Sequence, residues 1–243
     1  MLSQWILSHN RPNARSYKNL KIFIGILGMA LPVILVLGGL LYPGHTVQHS
    51  VSHYYHTDIR DVLVGTLASA SILFMTYLGY GIIDDVLTWA VGIAGVCVIL
   101  FPCPTSPEVP NAVVGVFRLT QEVSGPIHFS FAGAFFLLLA VNSIFLFTLS
   151  DQKKMADAKR ARNIVYVVCG ALILACLAVL LILSLAAQHF FENSSIALVF
   201  EAIMLLAFGF AWLVKSGIGL FPDAVVAATK GRSRKSRPAK GRR

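Results

Sequence analysis

Residues 45–61 read HTVQHSVSHYYHTDIRD, with four histidines in twelve residues of a chain that holds seven. At about 100° per residue, a helix over this stretch puts His45, His49, His53 and His56 within an arc of roughly 80°, with Ser52 in the same stripe and Val47, Val51, Tyr54 and Tyr55 opposite. Neutral imidazoles one helical turn apart bind zinc or a similar metal. The competing reading is an interfacial helix with its polar side in water and its tyrosines at head-group level. Ser52 beside histidines suggests a nucleophile, but no G-x-S-x-G elbow surrounds it, and that reading is set aside.

Three further positions carry chemistry. Glu201 lies within an apolar run, where a carboxylate is costly and marks function by default; it is expected either to be protonated or to pair with Arg60, Arg118 or His128, and the competing reading is a buried hydrogen bond that ties helices together. His128 follows SGPI, with Pro126 expected in the first turn of a helix and Ser124 as its cap. Arg60 and Asp61 open another apolar run. There Arg60 suits an anionic head group, beside Tyr55 and Arg118, and Asp61 suits a base or a ligand.

These residues are positioned by apolar helices. The chain of 243 residues is 56% hydrophobic and 13% charged, against about 25% charged in soluble domains. Six runs approach the ~20 residues of a membrane span: about 20–42, 61–81, 85–102, 125–149, 164–187 and 195–218. Their continuity predicts helices rather than barrel strands. The expectation is an all-α, polytopic six-helix bundle over 20–218, flanked by a basic segment (1–19) and a basic, disordered tail (219–243). The first run is long enough to be a retained anchor rather than a cleaved signal.

Eighteen of the twenty Lys and Arg residues fall in the first 21 residues, in SDQKKMADAKRARN, or from Lys215 onward. The positive-inside rule therefore predicts cytoplasmic termini in the plasma (inner) membrane and puts the histidine-rich segment outside. The tail suits anionic inner-leaflet lipids; without a folded domain to present the charge, nucleic-acid binding is not expected. Asp84 or Asp85 is expected to cap the third helix. In the outer loop, AVVGVFRLTQEV is expected to form an amphipathic lid helix. Asn193-Ser194-Ser195 is a sequon. Cys97, Cys103, Cys169 and Cys176 contain no CxxC pair and read as packing residues.

The segments SVSHYYHTDIRDVLVG, YLGYGIIDD, IHFSFAGAFFLLLA and FEAIMLLAFGFAWLVK resemble a family of bacterial membrane proteins of unknown function, itself distantly similar to the DRAM and GPI-anchor-remodelling groups. That resemblance implies a six-helix fold and associates Ser52, Tyr55, Thr57, Arg60, Asp61, Asp84 or Asp85, His128 and Glu201 with the pattern. A looser likeness to membrane hydrolases that gather Ser, His and Asp around zinc departs at the last span, which has Glu201 and no histidine. The expected function is a non-catalytic lipid- or solute-binding, sensing or accessory protein with an outward-facing polar site. The alternative is a metal-dependent hydrolase using Asp61, His128 and Glu201, with His53, His56 and His128 as ligands of a metal such as zinc.

Overall fold

The computed structural model describes residues 14–41, 46–79, 81–105, 109, 112–149, 157–192 and 194–218. Its helices are α1 (Ala14–Leu41), α2 (Arg60–Thr76), α3 (Ile82–Leu100), α4 (Gln121–Val141), α5 (Asp157–Ala186), α6 (Gln188–Glu192) and α7 (Ile196–Lys215). A 3₁₀ turn, Ser52–His56, precedes α2, and α4 runs on into a π turn, Asn142–Leu146. His45, Glu108, Asn193 and the basic tail lie outside the described residues.

Each long helix packs on two others: α1 on α2, α2 on α3, α3 on α4, α4 on α5, α5 on α7, and α7 back on α1. The result is a ring closed in chain order. Its seams need small residues, because lipid gives helices no hydrophobic reason to associate and close packing must do so. Gly25 on α1 faces Gly209 on α7: a Cβ on Gly209 would lie 2.6 Å from the Gly25 carbonyl oxygen and 2.5 Å from Met29 Cγ. Toward the end of α7, Trp212 is enclosed edge-on by Tyr77, Phe147 and Phe74, with centroids 5.0, 5.1 and 5.5 Å away.

Among the described residues, five segments are long and apolar enough to cross a membrane: Ser16–Leu41, Ile82–Leu100, Gln121–Leu146, Lys159–Ala186 and Ile196–Lys215. At most 44% of the most apolar stretch of any of them is buried inside the protein. Residues such as Phe23, Leu41 and Leu185 point outward, so an apolar solvent must cover the rest. This is an all-α membrane protein. The segment read as the second span is shorter than expected. α2 has 17 residues, or about 26 Å of helix against ~30 Å of hydrocarbon. It stops at Tyr77, which turns extended and stacks on Tyr17.

Local expectations are corrected in four places. Between His49 and Thr57 the chain is helical at Ser52–His56 alone, and as a 3₁₀ turn; α2 then begins at Arg60. An α-helix there would consume backbone groups that are instead given to α7, as described below. The lid helix is absent. Val113–Val114 and Leu119–Thr120 form an antiparallel hairpin, with Gly115 at φ 72° and Arg118 at φ 51°. A side chain on Gly115 would collide with Pro102 and the Leu100 carbonyl, so the close fit of this turn selects glycine.

α4 begins at Gln121 rather than near residue 125. The Gln121 side chain ties its start to the preceding loop, accepting from Thr105 N at 2.5 Å and Oγ1 at 2.8 Å and donating to the Val109 carbonyl at 2.8 Å. Pro126 therefore sits inside the helix. The residue preceding α3 is Gly81, with no side-chain cap; Asp85 instead accepts from Gly79 N–H at 2.6 Å. The cysteines are free, and Cys103, Cys169 and Cys176 are buried.

Candidate functional site

The outer segment is tied to the bundle through its backbone. The Leu198 N–H, in the first turn of α7, donates to the His49 carbonyl at 2.9 Å, satisfying one of the donors a helix start leaves free. One turn further along, Glu201 accepts from Val51 N–H at 2.6 Å, and Ser52 N–H also bonds to it. Glu201 is thus matched by backbone donors at the head of the 3₁₀ turn, not by the expected Arg60, Arg118 or His128. Its carboxylate suits that position, where unpaired N–H groups favour negative charge.

The other anchor is the C-terminus of α3, where backbone carbonyls lack intrahelical partners. The proline at 102 has no N–H to give Val98. His128 Nδ1 fills the gap, 2.8 Å from the Phe101 carbonyl and 3.3 Å from that of Val98. The next two carbonyls are also taken by side chains: Ser124 Oγ donates to Pro102 O at 2.7 Å, and His56 Nε2 to Cys103 O at 2.8 Å. Ser124 therefore braces the loop rather than capping α4.

These contacts fix the His128 tautomer. Carbonyls only accept, so Nδ1 carries the proton and Nε2 the lone pair. The hydroxyl 3.1 Å from Nε2 belongs to Ser52 and is the donor. His128 is buried at 3% exposure, which holds the pair out of bulk water.

Ser52, Tyr55, His128 and Glu201 line one slot among α1, α2, α3, α4 and α7. Its other walls are apolar, including Leu63, Leu67, Val98, Phe135, Phe136 and Leu205. Its free volume is about 50 Å³, so the space is narrow. Tyr55 also lines an outer basin of about 650 Å³, with His56, Asp58, Arg60, Thr105 and residues 113–116 of the hairpin. Arg60 lies over the Tyr55 ring, 4.2 Å from its centroid, and donates from Nη2 to the Tyr55 hydroxyl at 2.8 Å. A cation over an aromatic face is itself favourable.

The fold therefore brings together Tyr55, His128 and Glu201, with Arg60 and His56 beside them. It does not bring in Asp61, which is exposed in the first turn of α2 and lines neither space. Arg118 is exposed at the hairpin and lines neither. His53 Nδ1 is 2.6 Å from Ser50 Oγ, which also accepts His53 N–H at 3.1 Å.

Zinc does not fit the ligands expected for it. Among the described residues no three His, Cys, Asp or Glu side chains are grouped to hold a metal, and His128 has both ring nitrogens engaged, by the Phe101 carbonyl and by Ser52. No reaction step through a metal follows from this donor set. Burial, with the neighbouring His56, His49 and His128, pushes His53 down to about 4. Burial also lowers His56, against the pull of the Cys103 carbonyl.

The residue that the sequence reading set aside is Ser52. It stands 76 positions from His128, and no spacing rule joins them. The usable signal was Pro102, which leaves a carbonyl at a helix end for a side-chain donor. No family model matches the chain, and no curated protein or solved structure is found to be similar to it.

Proposed function

We propose that this is a six-span plasma (inner) membrane protein, with both termini cytoplasmic, that seats an amphiphile from the outer leaflet. The apolar chain occupies the slot, and an anionic head group sits in the basin at Arg60. The observation that carries this reading is Tyr55, which lines both spaces. A ligand straddling it is apolar on one side and meets a guanidinium on the other, as a binding site with few convergent polar groups requires. Six spans are supported by the place of α2 in the closed ring. The orientation is supported by eighteen of the twenty Lys and Arg residues, which fall in segments that six spans would put on one side. The basic tail adds attraction to the anionic inner leaflet, about 1 kcal/mol per residue near the surface.

The test is photocrosslinking of the full chain in vesicles, with anionic and zwitterionic phospholipids carrying a diazirine in one acyl chain. The expected adducts fall on Leu67, Val98, Phe136 or Leu205, are stronger with the anionic lipid, and disappear in Ala132→Trp, which fills the slot. Adducts confined to outward residues such as Phe23 and Leu185 would overturn the reading. Protease access to tags at both ends of the chain, in vesicles of known sidedness, checks the topology.

A further inference from the structure

We infer that Ser52 is a nucleophile and His128 its general base, and that the site transfers the acyl group of an ester-linked amphiphile. The inference rests on the amphiphile reading above and adds chemistry to it. Serine becomes nucleophilic when a positioned base accepts its proton and a third group orients the base. All three parts are present. Ser52 Oγ donates to His128 Nε2 at 3.1 Å, and Nδ1–H is held by the Phe101 and Val98 carbonyls. Those carbonyls end α3, where the helix dipole favours the positive charge that forms on the ring.

The developing oxyanion needs a donor. The N–H groups of Val51 and Ser52 are held by Glu201, which makes Glu201 a positioning residue. Tyr55 supplies the donor. It lies three residues after Ser52 on a 3₁₀ turn, where side chains at i and i+3 eclipse, and both line the slot. Its oxygen already accepts from Arg60, so its own proton is directed elsewhere, and the guanidinium polarises it.

The step balances as follows. Ser52 Oγ bonds to the ester carbonyl carbon while its proton passes to His128 Nε2. The carbon–oxygen bond to the alcohol breaks, and Nε2 returns the proton to the leaving oxygen. Water, or the hydroxyl of a second amphiphile, then attacks the acyl-serine, giving its proton to Nε2. That proton finally restores the Ser52 hydroxyl. The net change is ester plus water to acid plus alcohol, or exchange of one alcohol for another, with no oxidation.

The test treats the detergent-purified full chain with a long-alkyl fluorophosphonate and maps adducts by mass spectrometry. The diazirine phospholipid is applied to the same preparations. The expected result is an adduct on Ser52, absent in Ser52→Ala and formed on the order of 100-fold more slowly in His128→Gln, the loss typical of a missing general base. Tyr55→Phe is expected to slow formation of the Ser52 adduct; an unchanged rate would overturn Tyr55 as the oxyanion donor. If Ser52→Ala does not fold, His128→Gln decides, since it can still donate to the Phe101 carbonyl. Wild-type protein without a Ser52 adduct but with slot photoadducts would overturn the nucleophile and leave the binding reading standing. Loss of both would overturn both. A Ser52 adduct formed equally fast in His128→Gln would overturn the pairing.

Discussion

Glu201, one turn into α7, holds the backbone N–H of Val51 at 2.6 Å, 150 residues earlier in the chain. A half-buried carboxylate is here matched to a main-chain donor rather than to a cation. Glu201→Ala would strand that donor away from water, at a cost of about 1–3 kcal/mol. Glu201→Gln retains one acceptor and is expected to lose less. Thermal unfolding in detergent, with protease access at residues 46–58, measures both. Equal losses would show that the ionised form contributes nothing.

Acid should loosen the same segment. His53 is held near 4 in the folded chain, against an ordinary 6.5. Between those values the unfolded chain binds more protons, so stability falls as pH drops from 6.5 to about 4. Each pH unit of full difference is worth about 1.4 kcal/mol, an upper bound for a half-buried ring. His56 is shifted in the same direction and adds to the slope. Melting temperature against pH should flatten in His53→Asn; an unchanged slope would assign the effect elsewhere.

On the proposed reading, the Arg60 guanidinium meets the negative charge of the head group in the basin it lines. Arg60→Met removes the charge above Tyr55 while keeping much of the side-chain bulk. The preference for anionic over zwitterionic photoprobe should then drop several-fold, and the remaining labelling should lose its dependence on salt. Arg60→Lys keeps a charge but not the planar stack, and an intermediate result is expected.

The α1–α7 seam should be intolerant of side chains. Gly209→Ala places a methyl 2.6 Å from the Gly25 carbonyl, so the helices must separate, at about 1–3 kcal/mol. Gly65, whose added Cβ meets nothing within 4 Å, is the matched control. The ratio of their effects on the detergent melting temperature is the readout.

The helices were legible in the sequence because a span must be both long and apolar, and composition reports both. Their ends were not. Residues 121–124 are as polar as a loop, yet Gln121 finds loop partners and starts α4 four residues early. Tyr77 and Leu78 are as apolar as a span, yet Tyr77 leaves α2 to join an aromatic cluster. That His128 and Glu201 must find polar partners was legible, because polar groups are expensive in lipid. The partners were not, since Glu201 and one ring nitrogen of His128 choose main-chain atoms, which no motif advertises, and the other ring nitrogen meets Ser52, 76 positions away. The histidine count of the outer segment misled for the same reason. Its α-helical periodicity had to compete with hydrogen bonds offered by α7 and by the end of α3, and those prevailed.

The closed ring has a consequence for biogenesis. Helices α1 to α5 can each find a neighbour as they leave the ribosome, but α1 and α5 keep an open flank until α7 arrives. Leu198 and Glu201, which anchor the outer segment, arrive with the same helix. Completion of the ring and anchoring of the Ser52 turn therefore both wait for α7, and a chain stalled before that helix would lack the Leu198 and Glu201 contacts that hold its outer segment.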